Sequence, residues 1–127
     1  MLLGDARDQG ALERLLDGLL KLGRECEWVE FKHNWSDPDG IGEYISALSN
    51  SAAIAGMPQG FLVWGIEDGS LEVVGTVFDH LTAKIGNENL ENWLSRLISP
   101  RLNLRFIKFQ VGGKNILLLE IDRAFRH

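Results

Sequence analysis

Carboxylate side chains are the residues of this sequence best suited to chemistry. Glu25, Glu27 and Glu30 lie within six positions, and the pair Glu67-Asp68 closes a later apolar segment. If the two segments are neighbouring strands, three of these carboxylates can converge on one site. Carboxylate oxygens are preferred ligands of Mg²⁺ and Mn²⁺. A metal held there would polarise a phosphodiester and activate a water molecule.

Lys32 follows Glu30 by two positions, so on a strand the two side chains share a face. In a nuclease the Lys32 ammonium would stabilise the leaving oxygen. The alternative is structural: Glu30 pairs with Lys32, and Arg24 pairs with Glu25, as surface ion pairs. Spacing alone leaves both interpretations open.

The charge of the chain is unevenly distributed. Residues 1–91 hold 6 Lys and Arg against 16 Asp and Glu, whereas residues 92–127 hold 7 against 2. A basic end of this kind can contact phosphates, and the alternative is a solvated strand surface that balances the acidic half. The candidate nucleic-acid contacts are Lys32, Arg101, Arg105, Lys108 and Lys114. Strand alternation predicts that Arg101 and Arg105 share a face, with Lys108 on the other.

Several classes of protein are excluded or disfavoured by composition. The chain has 127 residues and a net charge of −5, with no apolar run long enough to cross a membrane and no signal peptide at its start. Its single cysteine excludes an internal disulfide and favours a cytoplasmic location. Its three histidines form no metal-ligand pattern, and no glycine-rich phosphate loop is present.

The helices and strands that position these residues are predicted from the spacing of apolar residues and from the turn residues between them. Helices are predicted around residues 12–20, 41–52 and 90–98, and strands at 27–32, 60–66, 71–75, 102–111 and 115–121. Asp37 or Asp39 is a candidate cap of the second helix, and Asn87 or Asn89 of the third. The last two strands form a hairpin around Gly112-Gly113, and Trp35 lies in a polar loop where it could be exposed. The order α-β-α-ββ-α-ββ predicts an α+β fold, with a mostly antiparallel sheet of about five strands and three helices. We expect residues 1–127 to form a single domain, and the abrupt end after Ile121 suggests a fragment of a longer chain.

Three blocks resemble the Schlafen-type AlbA domain. The first runs from Glu25 to Lys32 and ends in Glu-Phe-Lys, the second is Ile45 to Ala52, and the third is Gly60 to Asp68 followed by Val74-Gly75-Thr76. The similarity extends from about residue 10 to the end of the chain and includes Gly86 to Leu94.

The resemblance implies an Alba-like nucleic-acid-binding fold, which was once described as a divergent ATP-binding domain. In bacteria such domains stand at the N-terminus of transcriptional regulators and of helicase-related proteins. In some animal Schlafen proteins the domain is a ribonuclease in which three carboxylates cleave tRNA. The motif positions of that triad correspond here to Glu25, Glu30 and Asp68.

Three functions are therefore expected in descending order. The first is a non-catalytic nucleic-acid-binding module, for DNA more than RNA, within a transcriptional regulator. The second is a ribonuclease that holds Mg²⁺ or Mn²⁺ on Glu25, Glu30 and Asp68, with Lys32 assisting. The third is ATP binding. The expected partners are nucleic acid, the remaining C-terminal part of the same chain and, as a further alternative, a second copy in a homodimer.

Overall fold

The computed structural model of the protein describes residues 8–23, 26–98 and 102–124. Three helices and six strands occur in these ranges: α1 (Gln9–Leu22), β1 (Val29–Lys32), α2 (Pro38–Ala55), β2 (Gln59–Trp64), β3 (Lys84–Ile85), β4 (Glu88–Asn89), α3 (Leu90–Leu97), β5 (Leu104–Val111) and β6 (Lys114–Asp122). None of these helices has the length and apolar character needed to span a lipid bilayer.

The main sheet contains four strands in the order β1-β2-β6-β5. β1 and β2 are parallel, with Glu30 opposite Leu62 and Lys32 opposite Trp64. Their parallel pairing follows from the α2 crossover that connects them. β6 is antiparallel to both β2 and β5. The α+β prediction is confirmed, as is the prediction that the first strand joins the same sheet as the second.

The sheet is buried on both faces. On one face α1 packs over a cluster that contains Phe31, Val63 and Leu118. On the other face α2 and α3 pack over a cluster that contains Leu62, Trp64 and Leu117. The two central strands are apolar from Gly60 to Trp64 in β2 and from Ile116 to Leu119 in β6, because neither face reaches water there.

Side-chain caps fix where the helices begin. The Asp37 carboxylate accepts from the Gly40 amide at the start of α2, and the Asn89 side chain accepts from the Glu91 and Asn92 amides at the start of α3. The sequence offered Asp37 or Asp39 for the first cap and Asn87 or Asn89 for the second. The structure selects Asp37 and Asn89.

Two local features differ from the sequence prediction. Residues 71–75 form no strand: the expected pairing is reduced to a single bridge between Ile66 and Val73. The backbone of residues 71–75 is irregular because Leu71 and Gly75 both have positive φ and the Gly75 amide donates to the Gly65 carbonyl. The small β3–β4 ladder was not predicted, since its four residues show no apolar alternation.

Candidate functional site

Strand β1 presents two charged side chains on one face of the sheet. Val29 and Phe31 are buried on the α1 side, so Glu30 and Lys32 point to the α2 side, where each is partly exposed. β1 is an edge strand of the four-stranded sheet, and this position leaves both polar ends accessible to water. The prediction that Glu30 and Lys32 share a face is confirmed.

Lys32 is held between two aromatic rings. Its ammonium group lies 4.9 Å from the centre of the Trp35 ring and 4.9 Å from the centre of the Tyr44 ring. The two rings meet edge to face, with centroids 5.4 Å apart. Cation–π contacts of this kind orient the side chain.

The surrounding backbone fixes Trp35. The indole N–H of Trp64 donates to the Trp35 carbonyl oxygen at 2.7 Å. The Trp35 ring also lies directly over Gly40, where an added Cβ would collide with the ring. The sequence placed Trp35 in a polar loop that could be exposed. The structure instead makes it a half-buried support for Lys32.

Glu30 and Asp68 are electrostatically coupled. Asp68 is exposed in the turn that follows β2, while Glu30 is partly buried. Burial raises the pKa of the Glu30 carboxyl, and the negative charge of Asp68 raises this pKa further, whereas Lys32 opposes the shift. A proton is therefore held more tightly on Glu30 than on a solvated glutamate. Such a group is suited to proton transfer.

The third predicted carboxylate, Glu25, lies outside the described residues. Within the described ranges, no group of three His, Cys, Asp or Glu side chains is placed to hold a metal ion. Of the predicted site, the described structure places Glu30 and Lys32 on one face of β1, with Asp68 near enough for its charge to raise the pKa of Glu30. Glu27 is exposed at the turn before β1.

The predicted basic contacts of the C-terminal hairpin are dispersed. Arg105 donates to the Glu120 carboxylate at 2.7 Å, and the Glu120 side chain is only 4% exposed. Lys108 pairs with Asp79 at 2.7 Å. Arg105 faces the α1 side, whereas Lys108 faces the α2 side. Arg101 lies outside the described residues.

Lys114 occupies a different surface, which we call the end groove. This groove has a volume of about 330 Å³ and lies where β1 ends and the β5–β6 hairpin turns. Its lining includes His33, Asn34, Gly75, Thr76, Gly113 and Lys114. His33 and Lys114 are both exposed, so the groove combines an imidazole and an ammonium group from two segments distant in sequence.

Asn34 holds the groove together. Its side-chain oxygen accepts from the Thr76 hydroxyl at 3.0 Å and from the Val77 amide at 2.9 Å. The Thr76 amide in turn donates to the Asn115 carbonyl. These bonds connect the end of β1, the 74–78 loop and the hairpin. No local sequence signal could have identified this link, because it joins residues more than 40 positions apart.

A profile of the Schlafen AlbA_2 family matches residues 25–127. The chain belongs to the Schlafen AlbA_2 family. Among solved structures, it is similar to the N-terminal domain of a Nitrosomonas europaea protein named as related to the ATP-dependent DNA helicase RecG. That match has a TM-score of 0.54 and 22% identity, and it covers 88% of this chain and 72% of that chain.

A second structure, the DIP2311 protein of Corynebacterium diphtheriae, aligns with a TM-score of 0.45 and 20% identity. The alignment covers 91% of this chain, which spans 23% of the length of that protein. The comparison with curated proteins gives no match. At these identities, the Nitrosomonas structure shows a shared fold.

The AlbA_2 motif blocks coincide with the described site. The Glu-Phe-Lys block supplies Glu30 and Lys32 on β1, and the third block supplies β2 and Asp68. The second block forms the middle of α2, which packs against β2. The residues that carried the family resemblance therefore surround the aromatic-clamped lysine and the coupled carboxylates.

Proposed function

We propose that this AlbA_2 domain is a non-catalytic nucleic-acid-binding module, with DNA preferred over RNA, that serves a transcriptional regulator. The observation that carries the proposal is the end groove, which the exposed side chains of Lys114 and His33 both line. Phosphate groups bind where cations and backbone amides meet in a concave surface. The groove provides a lysine, a histidine and the glycine-rich turn at Gly112-Gly113.

Lys32 supports this assignment from the neighbouring position. It immediately precedes His33, and its ammonium group contacts the rings of Trp35 and Tyr44. Among the residues that the structure describes, no carboxylate forms an ion pair with it. Arg105 and Lys108, by contrast, are each within 2.7 Å of a carboxylate oxygen. Those two side chains would have to exchange an internal partner for a phosphate, so we assign them a smaller share of binding.

The net charge of −5 limits the affinity for nucleic acid that we expect. A negative protein is repelled by nucleic acid at long range, and few phosphates are neutralised at close range. We therefore expect modest affinity that falls steeply with salt, with a slope of about one to three in log–log form. Greater affinity would come from the remaining part of the longer chain in which we place this domain.

Fluorescence anisotropy with labelled DNA and RNA of the same sequence, over a salt series, tests the proposal. Binding of DNA with a measurable salt slope supports it. Absence of binding to either nucleic acid at low salt contradicts it. Unlabelled ATP in the same titration addresses the third hypothesis, since release of the DNA by ATP at constant ionic strength would favour a nucleotide site over a nucleic-acid site.

The coupled carboxylates favour a second candidate, a ribonuclease. The raised pKa of Glu30, to which the negative charge of Asp68 contributes, and the shared face of Glu30 and Lys32 are the specific observations behind it. If Glu25 completes the site, its three carboxylates fit Mg²⁺ or Mn²⁺, which would neutralise the phosphate and activate water.

Incubation of the protein with tRNA and Mn²⁺, with EDTA as the metal-free control, decides this point. Cleavage that disappears in Glu30→Gln would replace the first proposal with the second. Cleavage that survives Glu30→Gln would indicate a contaminating nuclease. Binding without cleavage by the wild-type protein would leave the non-catalytic module.

A further inference from the structure

The outer strand β5 exposes one side of its backbone. The carbonyl oxygen of Asn103 accepts from the Asp122 amide. The odd-numbered residues of β5 continue this pattern, since each lies opposite an even-numbered residue of β6: Arg105, Ile107, Phe109 and Val111. In an antiparallel pair, residues whose backbone N–H and C=O groups bond to the partner strand alternate with residues whose backbone groups point away from it. The amides and carbonyls of the even-numbered positions of β5 therefore point away from β6.

The position of Gln9 agrees with this assignment. Its side-chain amide donates to the carbonyl oxygen of Gln110, one of the outward positions. Within the described residues, the outward amides of Leu104, Phe106 and Lys108 have no hydrogen-bond partner. A row of such groups is a template for another extended strand.

Two grooves accompany this edge on the α2 side of the sheet. The first, of about 370 Å³, is lined by Leu104 and Phe106 together with Glu91 and Leu94 of α3. The second, of about 410 Å³, is lined by Lys108 and Gln110 with residues of the 76–79 loop. The imidazole of His80 stacks on Phe106 of the first groove with ring centroids 4.3 Å apart, and His80 directly follows Asp79 of the second groove.

Exposed apolar side chains border the same edge. Val77 is 85% exposed beside the second groove, and Leu81 is 58% exposed next to His80. Leu97 is 59% exposed on α3, one turn from Leu94 of the first groove. Val77 thus adds exposed apolar area to the second groove itself, and Leu81 and Leu97 add it to the neighbouring loop and helix, as expected of an interaction surface.

We propose that β5 pairs antiparallel with β5 of a second copy of this chain, joining two sheets into one. A two-fold axis at Phe106 places Leu104 opposite Lys108 of the second copy, and Arg105 opposite Ile107 of the second copy. This register brings no like charges directly opposite each other. It also places Lys108 of the second copy beside the groove that contains the Glu91 carboxylate. Charge and backbone pattern are therefore self-complementary.

Lys108→Pro tests the pairing, with Lys108→Ala as the matched control. Both variants lose the ion pair with Asp79, but only proline removes an outward amide, and it leaves the bonds to β6 in place. Sedimentation velocity over a concentration series should show wild type and Lys108→Ala as dimers and Lys108→Pro as a monomer. Circular dichroism establishes that each variant is folded.

Amide hydrogen exchange of the wild-type protein gives an independent measurement if Lys108→Pro does not fold. The Phe106 and Lys108 amides should exchange slowly at high protein concentration. On dilution, their exchange rates should rise at least tenfold. A wild-type protein that remains monomeric at about 1 mM, with both amides in fast exchange, overturns the proposal. Protection that requires an added extended peptide overturns it in favour of a different partner.

Discussion

Lys32 and Lys108 lie at opposite ends of one row of side chains across the sheet, with Trp64 and Leu117 between them. Three strand spacings separate the two lysines, a distance of about 14 Å. Lys32 contacts two aromatic rings at one edge, and Lys108 pairs with Asp79 at the other. The basic residues of the chain therefore act at separate places, which is why we assign nucleic-acid binding to the end groove rather than to the whole hairpin.

Gly40 keeps the aromatic support of Lys32 in place. In Gly40→Ala the new methyl group collides with the Trp35 ring, so we expect a loss of about 1–3 kcal/mol in the free energy of unfolding. The ring-current shift of the Lys32 side-chain protons in NMR spectra should also decrease.

Gly42→Ala is the control, because it lies in the same helix with no atom within 4 Å of the added Cβ. It should leave the Lys32 resonances unchanged and stabilise α2 by up to about 1 kcal/mol. Equal effects of the two substitutions would show that Trp35 does not depend on Gly40.

Arg105 contributes more to stability than an exposed ion pair does. Its removal in Arg105→Ala deprives the buried Glu120 carboxylate of its 2.7 Å partner. We expect a loss of about 1–3 kcal/mol in urea denaturation. Arg96→Ala, which breaks the exposed pair with Glu88, should cost less than about 1 kcal/mol. Equal losses would contradict the structural role of Arg105.

The ionised Glu30 side chain destabilises the fold at neutral pH. Its folded-state pKa lies above the value of about 4.3 expected in the unfolded chain. The penalty is therefore complete above the folded-state pKa and absent below the unfolded value. Glu30→Gln should raise Tm at pH 7, and the gain should shrink as the pH falls to about 4. Glu43→Gln, at an exposed position of α2, is the control. A lower Tm for Glu30→Gln at pH 7 would refute this prediction.

His80 makes the protein less stable in acid. Burial lowers the pKa of its imidazole, and the nearby Lys108 lowers it further, whereas Asp79 opposes the shift. The Glu91 carboxylate lies 3.8 Å from Nε2, and Nδ1 is buried without a hydrogen-bond partner. Folded protein therefore binds fewer protons here than unfolded protein, so stability falls as the pH drops through the unfolded-state value of about 6.5.

His80→Phe preserves the ring on Phe106 and cannot titrate. Its Tm should decline less than that of the wild-type protein between pH 7.5 and about 5. Identical declines in the two proteins would show that other groups determine the acid sensitivity.

Sequence patterns predicted the parts of this molecule that local chemistry determines. They include the apolar stripe of α1, the Gly112-Gly113 turn and the shared face of Glu30 and Lys32, which involve residues close together in the chain. For the caps of α2 and α3, the sequence narrowed the choice to two candidates each, and the structure selects Asp37 and Asn89. Each depends on local periodicity or turn geometry, and such signals are readable without tertiary contacts.

The remainder depends on contacts between distant segments. The pairing of Arg105 with Glu120 results from the register of β5 against β6. The bond from Thr76 to Asn34 joins two loops 42 residues apart. A charge count could not show that basic side chains of the C-terminal quarter would be neutralised internally. The same count could not show that Lys114 would lie beside His33.

The salt dependence of DNA binding by Lys114→Ala, compared with Lys84→Ala, tests the central claim most directly. Both changes remove one exposed lysine, but only Lys114 lines the end groove, while Lys84 lies on the separate β3–β4 ladder. We predict that Lys114→Ala weakens binding severalfold and lowers the slope of log affinity against log salt by about one unit. Lys84→Ala should match the wild-type protein. An unchanged slope for Lys114→Ala, or an equal loss in both variants, would contradict a nucleic-acid interface at the end groove.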